Sequence, residues 1–333
     1  MTEYLVIGEE RIGLELDEYL CLLYPQANKG FLRRMIHEGK VQIDGQPTRP
    51  AHRLGINQLV SIDFELEELP AAPVAPIARV PILHEDDAVI VVDKPADLAV
   101  EPERWARDAA CLSGALLAEA IDRGEDGHDG GIHWRPRLVH RIDKDTTGCV
   151  LVAKNLEAER ELRQAFENGD VSKHYLALVE GEYGVTEDLE EIDAPIGPDR
   201  RRTGRMQVVG DGKPARTRVK AAESFRGFTL MSCEPLTGRT HQIRVHLAHE
   251  GFPLAVDSLY GRRDEFKLSE IKRGYRPKRG GTETPLISRL TLHASRLEFP
   301  DVARGSGRMV VEAPIPKDLA RTLKQLAKVR PLR

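Results

Sequence analysis

Residues 140–148 read His-Arg-Ile-Asp-Lys-Asp-Thr-Thr-Gly and run into an apolar stretch from Cys149 to Ala153. An apolar run that short reads as a buried strand, which makes the nonapeptide the loop that feeds it. Arg141, Asp143, Lys144 and Asp145 crowd into that loop. A carboxylate beside fixed positive charge stays ionised, and an ionised carboxylate can act as a base or as a nucleophile. The same composition also suits a solvated turn with ordinary surface ion pairs. Charge density alone does not separate the two.

The order of the residues does. It closely resembles the signature of the RluA-type pseudouridine synthases, His-Arg-Leu-Asp-x-x-Thr-Ser-Gly, with Ile142 for the leucine and Thr147 for the serine. Residues 237–249, Thr-Gly-Arg-Thr-His-Gln-Ile-Arg-Val-His-Leu-Ala-His, resemble the second signature of that family, and Gly251, Asp257 and Tyr260-Gly261 follow in order. Lys173-His-Tyr175 resembles the Lys-x-Tyr element between them, and Glu85-Asp86 through Lys94-Pro95 the opening strand. The likeness covers residues 80–325 in ordered blocks.

The resemblance implies a reaction. Uridine becomes pseudouridine when the bond from ribose to the ring nitrogen breaks, the base turns, and carbon 5 rejoins the sugar. Nothing is oxidised and no water is consumed overall, so no cofactor and no metal is expected. The resemblance makes Asp143 the catalytic carboxylate, as nucleophile or as base, with Asp145 at a variable position of the motif. Arg244 is implied as its ion-pair partner, because a guanidinium grips a carboxylate with two hydrogen bonds and keeps its proton. Tyr175 offers a face on which a flipped base stacks. Arg141 is implied to fill the space left by the flipped nucleotide or to touch phosphate. His140, Lys173, Arg239 and His241 are implied as further contacts to RNA.

Other readings of these residues are weaker. His241, His246 and His249 invite a metal site, but on a helix the first two stand about 140° apart. Zinc ligands on one helix usually sit at i and i+4. A glycosidase acting through Asp143 needs a second carboxylate, and none is motif-paired with it. A catalytically dead RNA-binding protein of the same fold would have no use for Asp143, Arg244 and Tyr175 together. Two departures from the pattern stand out: Asp97 replaces a glycine after Lys94-Pro95-Ala96, and Glu101 stands where histidine is common. Aspartate can adopt the left-handed conformation that a glycine would supply.

The chain around these motifs has 333 residues, enough for two domains, with 41% hydrophobic and 31% charged residues. Its net charge of −4 exerts no global pull on nucleic acid, so RNA binding must rest on local patches. Arg200-Arg201-Arg202 with Arg205, and Arg262-Arg263 through Lys278-Arg279, are two such patches, either gripping phosphate or merely solvated. The four cysteines are scattered, which excludes a Cys-x-x-Cys knuckle and argues against a disulfide framework. No signal peptide is visible, and no run reaches about 18 apolar residues. A cytoplasmic monomer with an RNA partner, ribosomal first and transfer RNA second, and no membrane is the expectation.

Elements must position the motifs. Residues 66–81 carry four prolines and no glycine, a composition that reads as an extended connector. The expected organisation is a small domain at 1–65, a linker at 66–81 and an α+β catalytic domain at 82–330 with a mixed, largely antiparallel central sheet. In the small domain Leu16, Leu20 and Leu23 mark one helix face, and a second helix is predicted over Lys29 to Glu38. Its Lys29, Arg33 and His37, with Lys40 beyond, form a basic stripe on the solvent side. Strands are predicted at Val41 to Ile43 and Leu59 to Phe64, with a turn at Asp44-Gly45. This pattern resembles the S-four-like RNA-binding module, which makes Lys29, Arg33 and Lys40 candidate RNA contacts. The module's 7 basic and 10 acidic residues are less basic than such a role favours. Further on, Ala88 to Val92 reads as a central strand, Leu112 to Ile121 as a helix, and Asn155 to Gly169 as a capped helix.

Overall fold

Alternating burial in the two inner strands and a short turn between hairpin strands organise a four-stranded antiparallel sheet in the first 64 residues. Its strands are β1 (Glu3–Val6), β2 (Val41–Ile43), β3 (Gln46–Pro47) and β4 (Leu59–Ile62), in the order β1-β4-β2-β3. Helices α1 (Leu16–Leu23) and α2 (Lys29–His37) lie against it. The computed structural model describes residues 2–64, 74–76, 79–103, 109–123, 131–184, 190–276 and 282–332. Most of the proline-rich segment, and Lys278-Arg279, lie outside the described residues.

Each element of this unit has a local cause. Leu16 and Leu20 are fully buried, as their helical spacing requires, and Leu32, Met35 and Ile36 of α2 meet them. Asn28 caps α2 by accepting the Phe31 N–H at 2.8 Å. The two central residues of the hairpin turn, Asp44 and Gly45, have φ of 51° and 72°, a conformation suited to a two-residue loop. Burying one leucine or isoleucine here stabilises the unit by about 1.5–3 kcal/mol.

Contacts divide the chain into two units, one of residues 1–79 with 99–137 and one of residues 80–98 with 138–333. The first unit therefore holds α3 (Leu112–Arg123) as well. Within it the Ile132 N–H donates to the Leu22 carbonyl at 3.0 Å, and Arg137 is hydrogen-bonded to Glu18. The sequence places one boundary at 66–81 and assigns everything from 82 onward to a single domain. Composition reports a linker, but it carries no signal for a segment that leaves a domain and packs with an earlier one.

The second unit is built on one large sheet. Its strands are β5 (Ile82–Glu85), β6 (Val89–Lys94), β8 (Thr147–Ala153), β9 (Ser172–Glu180), β10 (Glu190–Asp193), β13 (Arg216–Phe225), β14 (Phe228–Pro235), β15 (Leu292–Pro300) and β16 (Arg308–Glu312), and the two-residue β7 (Arg137–Leu138) has only its second residue in this unit. A separate hairpin pairs β11 (Ile196–Pro198) with β12 (Met206–Val208). The helices are α4 (Leu156–Asn168), α5 (Gln242–His249), α6 (Leu268–Ile271) and α7 (Lys317–Val329). Along the sheet the order is β10-β13-β14-β9-β15-β8-β6-β5, with β16 on β15. Only β8 and β15 run parallel among the strand pairs with a described register; the others are antiparallel.

β8 is the apolar run expected after the charged loop, and all seven of its residues are buried. It starts at Thr147, so the charged loop ends where the strand begins. Gly148 sits there at φ 108°, and a Cβ on it would approach the Ala294 carbonyl oxygen to 2.1 Å. Only glycine allows β15 so close. Asn155 caps α4 by accepting the Ala158 N–H at 2.9 Å, and Gly169 ends it at φ 81°. Between those caps Ala158, Leu162 and Ala165 face β8 in one core. Among the described residues no helix is long and apolar enough to cross a membrane.

Candidate active site

The charged loop is held by a lysine that no solvent reaches. Lys94 is fully buried at the end of β6, and its ammonium donates to the carbonyls of Pro95 and Leu98 at 2.8 Å and of Lys144 at 2.7 Å. Three donors meet three acceptors, which ties the 95–98 turn to the loop beside Asp143. Burial pushes the Lys94 ammonium down to about 7. Asp97, in that turn, adopts φ 58°. It takes the left-handed conformation that its replacement of glycine calls for, and it reaches Lys144 at 3.2 Å. Behind the loop Ile142 is buried, and the Thr146 N–H donates to the Asp143 carbonyl at 3.1 Å.

Asp143 is about a quarter exposed, at 26%. Its Oδ2 accepts from Arg244 Nη1 at 3.0 Å, and Oδ1 takes no hydrogen bond from the described residues. Arg244 comes from the first turn of α5 and is buried. Its other side is gripped by Asp257: Nε to Oδ2 at 2.8 Å and Nη2 to Oδ1 at 2.9 Å. Asp257 is itself almost wholly buried, and its Oδ1 also accepts the N–H groups of Leu259 and Tyr260 at 2.9 and 3.1 Å. Burial opposes the charge on Arg244, but Asp257 and then Asp143 outweigh it and hold the guanidinium above its ordinary range. One cation thus serves two carboxylates, and only Asp143 has an oxygen left over.

Tyr260 completes the surround. Its ring lies 5.0 Å from the Arg244 guanidinium, and its hydroxyl accepts the Met206 N–H at 2.8 Å while pairing with His241 Nδ1 at 2.9 Å. His241 caps α5 at φ 55°, and burial lowers its pKa. Gly261 lets the chain turn sharply here, since a Cβ on it would lie 2.7 Å from the Asp257 carbonyl oxygen. Tyr175 lies on β9, opposite Cys233 of β14 and Ala294 of β15. Burial pushes its phenol up, and the Asp143 carboxylate adds to the effect, so the hydroxyl keeps its proton.

The remaining sequence candidates fall into separate groups. His140 Nε2 accepts the Leu151 N–H at 2.8 Å, and its ring stacks on Phe166 at 4.9 Å. Burial pushes its imidazole down to about 3, with the Lys173 charge adding, so it is neutral and carries its proton on Nδ1. The Lys173 ammonium lies 6.0 Å from the centre of the Phe166 ring, and burial lowers its pKa. Arg239 is half-buried and donates from Nε to the Pro214 carbonyl at 2.9 Å. With Arg216, Arg218 and Phe166 it lines a cleft of about 570 Å3. Arg141 is exposed. His246 spends both ring nitrogens on structure, one on Thr217 at 2.8 Å and one on the Ala194 carbonyl at 2.9 Å.

In the first unit the stripe of α2 is partly matched by acid. Lys29 is hydrogen-bonded to Glu18 and lies 3.3 Å from Asp17, and Arg33 Nε donates to Asp17 at 2.7 Å. Both carboxylates are buried in α1. Lys40 lies just past the end of α2.

Asp257, Tyr260 and Lys94 are the side chains of this arrangement to which the sequence assigns no role. A signal existed for one of them: Asp257 directly follows the apolar run Leu254-Ala255-Val256, and an acid on a buried run needs a buried partner.

Comparison with known proteins finds one family. The pattern of the RNA pseudouridylate synthase family matches residues 88–249. The ribosomal large subunit pseudouridine synthase D of Nitrosomonas europaea is 35% identical over 98% of this chain and 88% of its own length. The ribosomal large subunit pseudouridine synthase C of Escherichia coli is 32% identical over 99% of this chain and 98% of its own. Among solved structures, human RNA pseudouridylate synthase domain containing 4 superposes with a TM-score of 0.54 at 23% identity, over 74% of this chain and 92% of that one.

Proposed function

Since the chain belongs to the RluA-type RNA pseudouridylate synthases, we propose that it isomerises uridines of large-subunit ribosomal RNA with Asp143 as its catalytic carboxylate. The observation that carries this reading is the single hydrogen bond from Arg244 to Asp143 Oδ2, which leaves Oδ1 for the substrate.

The reaction breaks the bond between C1′ and N1 of uridine, forms one between C1′ and C5, and moves the C5 proton away while N1 regains one. Asp143 Oδ1 acts at the ribose, either on C1′ as a nucleophile or on a sugar proton as a base. Arg244 fixes Oδ2 of the carboxylate by its hydrogen bond, and Asp257 keeps Arg244 in place, so neither has to reorganise as charge develops. The Tyr175 ring supplies a face for the uracil once the nucleotide leaves its stack, at roughly 1–3 kcal/mol for such a contact. The exchange is neither an oxidation nor a net hydrolysis, so these side chains suffice without a cofactor. The substrate class rests on the relatives, whose names specify the large ribosomal subunit. In this reading the first unit adds affinity for RNA through α2 and Lys40.

The test is to incubate the full chain with in vitro transcribed large-subunit ribosomal RNA and to assay pseudouridine and free uracil. Pseudouridine without free uracil is expected. Released uracil would make the protein a hydrolase. Pseudouridine formed in a parallel incubation with transfer RNA, and not in the ribosomal RNA, would move the substrate.

A further inference from the structure

The hairpin of β11 and β12 is closed by a loop, Asp199–Arg205, that concentrates positive charge in a chain of net charge −4. Arg201 and Arg202 are exposed, and neither forms an ion pair among the described residues. Arg200 meets Asp211 at 3.1 Å, with both side chains mostly in solvent, so that pair contributes little. Arg205 points elsewhere. Its guanidinium lies 5.3 Å from the centre of the Tyr260 ring, the ring that also faces Arg244. Its acidic neighbour is the loop's own first residue, Asp199, at 3.5 Å, a long contact for a charged pair. Its Nε is buried and has no hydrogen-bond acceptor.

A guanidinium N–H buried without an acceptor is costly, and it persists where an acceptor arrives with a ligand. We propose that the Asp199–Arg205 loop is a backbone-phosphate site for RNA next to the target uridine, with Arg205 as its inner contact and Arg201 and Arg202 as its outer ones. The proposal rests on the RNA-modifying function above and extends it to a site outside the signature motifs. The placement follows from a short chain of contacts: Arg205 to Tyr260, Tyr260 to Arg244, and Arg244 to Asp143 at 3.0 Å. A phosphate taken here belongs to the strand that carries the reacting nucleotide. The loop is also anchored, because the Met206 N–H immediately after Arg205 donates to the Tyr260 hydroxyl. A fixed fork of N–H groups suits a phosphate better than a mobile ammonium does.

The experiment measures affinity of the full chain for in vitro transcribed large-subunit ribosomal RNA from about 50 to 200 mM salt, which reads phosphate contacts independently of turnover. R201A/R202A, at exposed positions that do not threaten the fold, should flatten the log–log salt slope by roughly 0.7 per lost contact. R205A should weaken binding about tenfold and flatten the slope again, as expected for one charge-assisted hydrogen bond. R205K should keep the slope and lose affinity. Y260F, which frees the Met206 N–H, should weaken binding with the slope unchanged. Wild-type slopes in both R201A/R202A and R205A, or no binding by the wild type, would overturn the proposal. Binding with wild-type RNA contacts but no pseudouridine formed would instead overturn the functional reading and leave the loop assignment standing.

Discussion

Asp257 holds Arg244 with two hydrogen bonds, of 2.8 and 2.9 Å, while Asp143 receives one of 3.0 Å from the same guanidinium. The asymmetry separates two tasks that one carboxylate could not perform together. Asp257 is buried and fully engaged, so it positions the arginine. Asp143 is a quarter exposed and half engaged, so it can react.

Asp143→Asn should abolish isomerisation and leave both the fold and RNA affinity close to wild type. The substitution preserves shape and a hydrogen-bonding oxygen but removes the charge that a nucleophile or base requires. Pseudouridine formation within tenfold of wild type would end the assignment of Asp143 as the catalytic group.

Asp257→Asn should lower kcat by about a hundredfold with little change in KM for RNA, because Arg244 loses the anchor that fixes it beneath Asp143. Arg244→Lys should fall at least as far, since an ammonium cannot satisfy both carboxylates with the same geometry. Single-turnover kinetics at saturating RNA separate the two parameters. A KM effect alone would show that Asp257 serves binding and not alignment.

The parts of this arrangement that were legible in the sequence are those with local causes. Asn155 and Gly169 bracket α4 because a cap and a left-handed glycine act within four residues. The buried run Cys149–Ala153 announces β8, and the charged loop before it announces the site. What stayed hidden depends on partners far away in sequence. β1 is an exposed edge strand without alternation, so it leaves no pattern. His140 reads as an RNA contact from its motif position, and its bond to the Leu151 N–H depends on where β8 lies. The basic stripe of α2 reads as a solvent-facing candidate for RNA because nothing in the sequence puts Asp17 and Glu18 of α1 beside Lys29 and Arg33.

Lys94 gives a pH prediction whose sign follows from its pKa. In the native state burial lowers the ammonium to about 7, while an unfolded lysine keeps its proton to about 10.4. Between those values the unfolded state binds more protons, so the lysine's contribution makes the fold more stable as pH rises. Below pH 7 both states are protonated and that contribution is flat. The stability difference between wild type and Lys94→Gln should therefore grow in favour of wild type from pH 7 to pH 9, by at most about 1.4 kcal/mol per unit. Urea midpoints at the two pH values measure it. A difference independent of pH would mean that the three carbonyls keep Lys94 charged throughout.

The basic stripe divides into Lys29 and Arg33, which meet the carboxylates of α1, and Lys40 beyond the helix, which the proposed function assigns to RNA. Lys29 and Arg33 offset the buried charges of Asp17 and Glu18, so Lys29→Ala should lower thermal stability by about 1–3 kcal/mol, an amount reduced from a fully buried pair because Lys29 is partly exposed. Lys40→Ala should leave the melting point near wild type and flatten the salt dependence of RNA binding by roughly 0.7 on the log–log scale. Point substitutions are the right probe here, since residues 99–137 pack with the first 79 and a truncation would strip α3 of its support. Melting curves together with RNA affinities from about 50 to 200 mM salt report both effects. A Lys29→Ala protein that melts like wild type but binds like Lys40→Ala would show that the carboxylates of α1 do not hold Lys29, and that the whole stripe faces RNA.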